Sequence, residues 1–242
     1  MSPPTLCFMI LPDHWNLPPS LRERIGREAG PQRTMLEDGH LLLVLHKLPK
    51  LGETQRHGMV FWRSPTGEWA ASEGEGLAGL SGHFETFAKA LERLGAAEVK
   101  ADSAREYHDI LTELAPITRT ARHAHETLQK ARLAVPDEDR LIDQRDASAA
   151  IERSAELLLQ DANYGLTFTA ARRAEEEADA ARRLNLLAAI FLPMSTLATL
   201  FSMTMKSGTG IEEHRWGFWE VVISGLLIGM VLAIMLGRRK RF

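Results

Sequence analysis

The residues best placed to do chemistry in this chain are hydroxyls within its last apolar stretch. Ser195, Thr199 and Ser202 are spaced at i, i+4 and i+7, so on a helix they form a single polar stripe. A polar stripe on an apolar helix either lines an ion pathway or bonds the backbone of its own or a neighbouring helix. Both roles stay open on the pattern alone.

An acidic run precedes these hydroxyls and offers oxygen ligands for a cation. It consists of Glu175, Glu176, Glu177 and Asp179. Such a run is usually a solvated helix face. In a ring of parallel helices it also brings like charges together, which favours bound cations. These four residues are the candidate metal ligands.

The remaining cysteine and histidine residues indicate no metal site. Cys7 is the only cysteine, which excludes a disulfide framework and a multi-cysteine metal site within one chain. His123 and His125 are two residues apart, about 200° around a helix, so they cannot share one ion. Six further histidines form no pair at helical spacing: His14, His40, His46, His57, His83 and His108.

Residues 74–79 read GEGLAG, which matches the glycine pattern of a dinucleotide-binding loop. Glu98 lies nineteen residues beyond Gly79, where a ribose-binding acid would be sought. That site requires a second parallel strand ending in the acid. Because helical patterns follow Gly79, we interpret the loop as a flexible connection from sheet to helix.

The hydroxyls of Ser195, Thr199 and Ser202 lie in the first of two apolar runs near the carboxyl end of the chain. Residues 184–205 form 22 residues without a formal charge, and such a helix is about 33 Å long, enough to cross a bilayer core of about 30 Å. Residues 221–237 are a second run, preceded by Trp216, Phe218 and Trp219 at the position of an aromatic belt. A buried soluble hairpin is the alternative, but the run lengths favour a membrane hairpin.

The charge distribution orients this hairpin. Basic residues flank it on one side, at Arg182, Arg183 and residues 238–241, which predicts that both termini are cytoplasmic.

The chain has 242 residues and a net charge of -3. Residues 184–242 carry six basic and three acidic residues, net +3, so residues 1–183 carry 23 basic and 29 acidic residues, net -6. An acidic body does not suit nucleic acid, whereas the basic end suits lipid phosphates.

The first hundred residues predict a small sheet with one or two helices. Leu6–Leu11 and Leu41–Leu48 have strand length, and Met59–Arg63 and Glu68–Ala71 flank a turn at residues 64–67. Leu17–Ile25 predicts a short helix starting at Pro18 or Pro19.

Helical patterns follow almost to the end of the chain. One helix is expected to begin near Ser81 as its cap, another to run from about Asp102 to Ala134, and a third over Glu138–Gln160. Continuous helix from Asp161 to Met205 would measure about 68 Å. A helix of that length should be a stalk packed against copies of itself and against the preceding helices.

The segment Ile190-Phe191-Leu192-Pro193-Met194-Ser195, with the run through Met205, resembles the first membrane helix of CorA-type divalent-cation channels. The following Arg215-Trp216-Gly217-Phe218, the second apolar run and the basic tail are also similar to that family. The resemblance implies a homopentameric funnel: an α+β cytosolic domain, a long stalk helix and a two-helix transmembrane hairpin. It implies a multi-pass protein of the cytoplasmic (inner) membrane whose partners are its own copies, membrane lipids and divalent cations. It implies no enzyme active site and no cofactor beyond a transported or regulatory cation.

The chain departs from the family at the filter. Where the family has Gly-Met-Asn, this sequence has Ser202-Met203-Thr204. A threonine hydroxyl is shorter than an asparagine amide, so a ring of Thr204 should hold hydrated Mg²⁺ less well. We therefore expect passage of Zn²⁺, Mg²⁺, Co²⁺ or Ni²⁺ with altered selectivity. The alternative is a non-conducting pentameric scaffold or regulatory protein.

The resemblance assigns residues and segments to the pore. The candidate pore-lining residues are Leu184, Ala188, Leu192, Ser195, Thr199, Ser202, Met203 and Thr204. Glu212 and Glu213 are either an external loop that attracts cations or an ordinary hydrated loop. The expected division is an α/β unit (1–100), a helical hairpin (101–160), a stalk with the first membrane helix (161–205), an external loop (206–217), a second membrane helix (218–237) and a basic tail (238–242).

Overall fold

The computed structural model describes residues 11–25, 30–53, 56–202, 216, 219, 223–227 and 229–231. Its elements follow the order α1 (Pro19–Arg24), β1 (Arg33–Glu37), β2 (His40–His46), β3 (Gly58–Arg63), β4 (Trp69–Ala71), α2 (Gly76–Glu98), α3 (Ala104–Ala134) and α4 (Arg140–Ser202). Residues 223–227 and 229–231 are also helical. The predicted strand over Leu6–Leu11 falls almost entirely outside the described residues.

The four strands form one antiparallel sheet in the order β1-β2-β3-β4. Alternate residues of β2 belong to different cores: Leu43 packs with the cluster that includes α2 and α3, and Val44 with the cluster that includes α1 and Trp15. Because both faces of β2 are covered, its sequence is a continuous apolar run rather than an alternating one. The predicted strands β2, β3 and β4 and the short helix α1 are all present.

Strand β1 was not predicted, although the chain carries a signal for it. β1 and β2 are joined by Asp38 and Gly39, which have φ values of 48° and 79°, and Glu37 pairs with His40. Two consecutive residues with positive φ are characteristic of a tight hairpin turn, for which Asp-Gly is a preferred sequence. The strand was missed because the search considered only apolar runs, and β1 begins with the polar residues Arg33 and Thr34.

Helix α2 begins five residues before the predicted cap. Ser81 lies inside the helix, where its hydroxyl donates to the carbonyl of Leu77 at 3.4 Å, so the expectation that Ser81 caps the helix was wrong. No side chain caps α2 at its actual start. The helix extends back because Leu80, which precedes Ser81, is fully buried in the core.

The GEGLAG segment is the connection from β4 to α2. A Cβ atom added at Gly76 would lie 2.6 Å from the carbonyl oxygen of Trp69, and one at Gly79 would lie 3.0 Å from that of Glu73. The glycines therefore allow close backbone packing. In the described sheet all pairings are antiparallel, so the parallel strand that a dinucleotide site needs does not follow this loop.

Helix α3 starts with a capping box. The Ser103 hydroxyl accepts from the Glu106 backbone N–H at 3.3 Å, and the Glu106 carboxylate accepts from the backbone N–H of Ser103 at 3.0 Å. Hydrogen bonds from the Asp102 and Ser103 backbone and the Ser103 hydroxyl lower the pKa of Glu106. The helix therefore begins at Ala104, two residues after the predicted start, and it ends at Ala134 as predicted.

Helix α4 is continuous over 63 residues, from Arg140 to Ser202. The segment predicted to end at Gln160 and the one predicted to begin at Asp161 therefore belong to one helix, without a break at Gln160. The chain divides into two compact units, Met1–Thr169 and Ala170–Phe242. The described helices were also compared with what a membrane span requires. Among them, none is both long enough and apolar enough to cross a membrane. Residues 203–215 and most of 217–222 and 232–242, which include parts of both predicted spans, lie outside the described residues.

Candidate functional site

The hydroxyls of the predicted polar stripe lie on the last turns of α4. Ser195 donates to the carbonyl of Leu192 at 3.1 Å, and Thr199 donates to the carbonyl of Ser195 at 2.7 Å. Thr196, beside the stripe, bonds Leu192 in the same way at 2.8 Å. Local backbone bonding, one of the two roles left open by the sequence, is therefore present. A hydroxyl that donates to the helix keeps its oxygen lone pairs as acceptors.

The opposite side of α4 packs against a second helical segment. Ala189, Ile190, Pro193 and Met194 are half-buried, whereas Ser195 and Thr199 are exposed. A Cβ added at Gly229 would lie 3.1 Å from the Cα of Ile190, so the two backbones approach closely at this glycine. At 100° per residue the polar stripe lies about half a turn from the packed side.

Most of the predicted pore face that the structure describes is exposed. The exposed residues are Leu184, Ala188, Leu192, Ser195 and Thr199. Leu184 and Leu192 are 67% and 69% exposed. Ser202 is the final residue of α4, while Met203, Thr204, Glu212 and Glu213 lie outside the described residues.

The acidic run forms an exposed segment of α4. Glu175, Glu176, Glu177 and Asp179 are exposed, and Glu176 pairs with Arg172 at 3.6 Å. Among the described residues, no three histidine, cysteine, aspartate or glutamate side chains are grouped to hold a metal ion. The predicted cation ring at these four carboxylates concerns several copies of the chain, and it stays a prediction.

A buried carboxylate that the sequence did not reveal ties the sheet to the start of α4. The Glu138 side chain is 6% exposed and accepts from Arg63 of β3 at 2.8 Å and from Arg140 at 2.7 Å. The indole N–H of Trp69 lies 3.3 Å from the same carboxylate. Burial raises the pKa of Glu138, but the hydrogen bonds from Arg140, Arg63 and Trp69 outweigh it and hold that pKa at about 2.

His123 and His125 of α3 have separate partners. His123 lies 3.5 Å from Glu126, and a ring nitrogen of His125 lies 3.2 Å from the hydroxyl of Ser148 on α4. The contacts of Glu138 with Arg63 and Trp69 were missed because residues 63–69 and 138–140 are far apart in the sequence and neither part carries a local motif.

No protein-family model and no curated protein matches this chain by sequence. Its structure is similar to that of the full-length CmaX protein, with a TM-score of 0.66 and 13% identity over 95% of this chain and 83% of that one. It is also similar to the CorA magnesium transporter from Methanocaldococcus jannaschii, with a TM-score of 0.56 and 13% identity over 91% of this chain and 85% of that one.

These likenesses establish the fold of the chain. The small antiparallel sheet with helices and the long α4 have the architecture of the CorA transporter structure, as the sequence predicted. The description of the second neighbour names a magnesium transporter.

Proposed function

We propose that this chain is a CorA-like ion channel that moves divalent cations passively through a pore lined by the end of α4. The observation that carries the proposal is the exposed stripe of Ser195 and Thr199, on the opposite side of α4 from its contact with Gly229. A stripe that does not face the neighbouring helix of its own chain is available to face copies of itself around an axis.

The local bonds of the hydroxyls favour a cation over an anion as cargo. Ser195 and Thr199 donate their hydrogens to backbone carbonyls of α4, so the hydroxyls of this stripe offer an ion oxygen acceptors rather than donors. Oxygen acceptors bind either a cation or the outward hydrogens of its hydration water. An anion would need donors instead.

The proposed assembly is a homopentamer in the inner membrane with both termini in the cytoplasm. Two spans, residues 184–205 and 218–237, form its membrane hairpin. The support is the similarity of the apolar runs and their basic flanks to the CorA family, together with the CorA-like fold. In this assembly the exposed Leu184 and Leu192 form apolar constrictions that gate the pore by dewetting.

The proposed cargo is Zn²⁺, Mg²⁺, Co²⁺ or Ni²⁺, with selectivity altered from that of the family. Ser202-Met203-Thr204 replaces Gly-Met-Asn at the mouth of the pore. The short threonine hydroxyl reaches less far into the hydration shell than an amide. Glu212 and Glu213 attract cations to that mouth, and the carboxylates of residues 175–179 form a cation ring at the other end of the span.

Flux from liposomes tests the proposal. The purified chain is reconstituted, and uptake of Zn²⁺, Mg²⁺, Co²⁺, Ni²⁺ and K⁺ is followed with ion-sensitive dyes. Thr199→Val removes one ring of oxygens and should slow divalent flux about fivefold, the effect of about 1 kcal/mol. Thr196→Val is the matched control, because Thr196 makes the same backbone bond but lies about a quarter turn from the stripe. Equal loss in both variants would contradict the pore face.

The alternative is a non-conducting pentameric scaffold or regulatory protein anchored in the membrane. The absence of Gly-Met-Asn at residues 202–204 is the observation that favours it. The liposome experiment distinguishes the two, because a scaffold shows no flux of any ion under any gating condition.

A further inference from the structure

A cavity of about 150 Å³ opens between the sheet and α3 in the Met1–Thr169 unit. It lies where the β2–β3 connection meets the middle of α3. Its lining consists of His46, Lys47, Leu48, Pro49, Glu53, Arg56, His57, Pro116, Arg119, Thr120 and His123.

The α3 residues of this cavity share one face of the helix. Pro116, Arg119, Thr120 and His123 are spaced at i, i+3, i+4 and i+7, so their side chains project in the same direction. The opposite wall is held in place by the backbone N–H of Lys47, which donates to the carbonyl of His57 at 2.8 Å. Both walls are therefore parts of the folded scaffold.

The lining is strongly basic although the unit that contains it is acidic. It holds three permanent cations (Lys47, Arg56 and Arg119), three histidines (His46, His57 and His123) and a single carboxylate, Glu53. Glu53 lies 3.6 Å from His57 and 4.0 Å from Lys50, and Lys47 pairs with Glu73. Within the described residues, neither Arg56 nor Arg119 has a carboxylate at salt-bridge distance.

We propose that this cavity is a binding site for a small phosphate-bearing anion. The two guanidinium groups supply forked donors that match phosphate oxygens. Typical sites for drug-sized ligands measure about 300–1,000 Å³. A cavity of about 150 Å³ therefore accepts a phosphate group rather than a whole nucleotide.

The three histidines do not make this cavity a metal site. Among the described residues, no three potential ligands are grouped closely enough to hold an ion. A ring nitrogen of His46 is already bonded to the carbonyl oxygen of Gly30 at 2.7 Å. Two guanidinium groups would also repel a cation. The site is independent of the proposed pore, so it does not rest on ion conduction.

Calorimetric titration of the full chain in detergent with pyrophosphate and with glycerol 3-phosphate tests the proposal. Pyrophosphate represents free phosphate compounds, and glycerol 3-phosphate represents a lipid headgroup. Saturable binding of either at one site per chain supports the proposal, and the tighter one identifies the source. Absence of binding by both would overturn it.

Matched arginine variants locate the site. Arg56→Gln and Arg119→Gln should each weaken binding about tenfold or more, because each removes a charged hydrogen-bond donor. Arg105→Gln is the control, since Arg105 is an exposed arginine on the same helix as Arg119 but outside the cavity. If all three variants weaken binding equally, the anion is held by general surface charge and the proposed site is wrong.

Discussion

His83 is a buried titratable side chain that packs against aromatic rings in the described core. It lies 6% exposed with its ring 5.2 Å from that of Phe87 and 5.3 Å from that of Phe84. Its Nε2 atom is buried without a hydrogen-bond partner. Burial, and to a smaller extent the charges of Lys47 and His46, lowers the pKa of His83 to about 4. The ring is therefore neutral in the folded chain at physiological pH.

Replacing His83 by phenylalanine should stabilise the chain by about 1 kcal/mol at neutral pH, because it removes a buried polar atom without a partner. The folded pKa of about 4 lies below the ordinary value of 6.5. The unfolded chain therefore takes up the proton first, and up to about 3 kcal/mol of stability is lost as pH falls from 6.5 to 4. The variant should lack this loss.

Urea midpoints followed by tryptophan fluorescence at several pH values check this prediction. His108→Phe is the control, since His108 is exposed on α3. A pH profile of His83→Phe that is identical to that of the unmodified chain would mean that His83 is not the group that titrates.

The ion selectivity of the proposed pore is expected to depend on the length of the side chains at positions 202 and 204. Ser202→Gly combined with Thr204→Asn restores the Gly-Met-Asn sequence of the CorA family around Met203. The longer amide should contact the hydration shell of Mg²⁺ and raise the preference for Mg²⁺ over Zn²⁺ about tenfold in the flux ratio, equivalent to about 1.4 kcal/mol. Liposome flux of the two ions measures it. Unchanged selectivity would show that this mouth is not the filter.

At the scale of elements, Glu138 links the β3–β4 hairpin to the first turn of α4. Arg140 of that helix also donates to the carbonyl of Gly67, in the turn between the two strands, at 3.2 Å. The carboxylate therefore holds one charged group from the sheet and one from the helix in a fixed arrangement. Removing one partner of a buried charge cluster leaves the others unpaired, which is costly.

Glu138→Gln should destabilise the chain by about 2–3 kcal/mol at neutral pH, because it leaves Arg63 without its buried charged partner. The folded pKa of about 2 lies below the ordinary value of 4.5. The contribution of Glu138 is therefore complete above pH 4.5 and is lost as pH falls toward 2. The variant should lose stability less steeply in that range.

Thermal unfolding between pH 2 and 7 measures both effects. Glu85→Gln provides the comparison, because Glu85 is exposed and forms a surface ion pair with Lys89 at 3.6 Å. Equal destabilisation by the two substitutions would contradict the stabilising role of the buried Glu138 ion pairs with Arg63 and Arg140.

The contact between α4 and the segment around Gly229 makes a second prediction at this scale. Gly229→Leu places a side chain where a Cβ is already 3.1 Å from the Cα of Ile190, so the helices must separate and the thermal midpoint should fall. Gly82→Leu on α2 has no atom within 4 Å of the added Cβ. It should instead stabilise its helix by about 1 kcal/mol. Changes of the same sign would contradict the close contact at Gly229.

At the scale of the whole molecule, the described chain leaves large apolar side chains on the surface of α4. Phe168 is 68% exposed in one unit, and Leu184 and Phe191 are 67% and 72% exposed in the other. Exposed apolar side chains in such numbers indicate surfaces that contact another molecule. For the proposed channel these are copies of the chain and lipid.

The proposed homopentamer has a mass of about 135 kDa, five times the 27.0 kDa of one chain. Native mass spectrometry of the detergent-solubilised protein should find this species. Phe168→Glu should shift it toward smaller species, because a charge would be buried between copies. Glu92→Gln, a change at an exposed charge on α2, serves as the control. A monomer at all concentrations would exclude an axial pore.

The sequence by itself determined the elements whose signals are local. The helical periods of α3, the turn at residues 64–67 and the apolar run of β2 predicted those elements close to their observed positions. The spacing of Ser195 and Thr199 predicted a shared face, because helix geometry alone decides which side chains align. Whether that face lines a pore stays a prediction.

Only the tertiary structure decided what depends on residues far apart in the chain. It started α2 at Gly76 instead of Ser81, because burial of Leu80 outweighs a missing cap. It also joined Glu138 to Arg63 across 75 residues and brought His46, His57 and His123 around one cavity. No local sequence pattern predicts these long-range contacts, because they depend on how the sheet and the helices pack against each other.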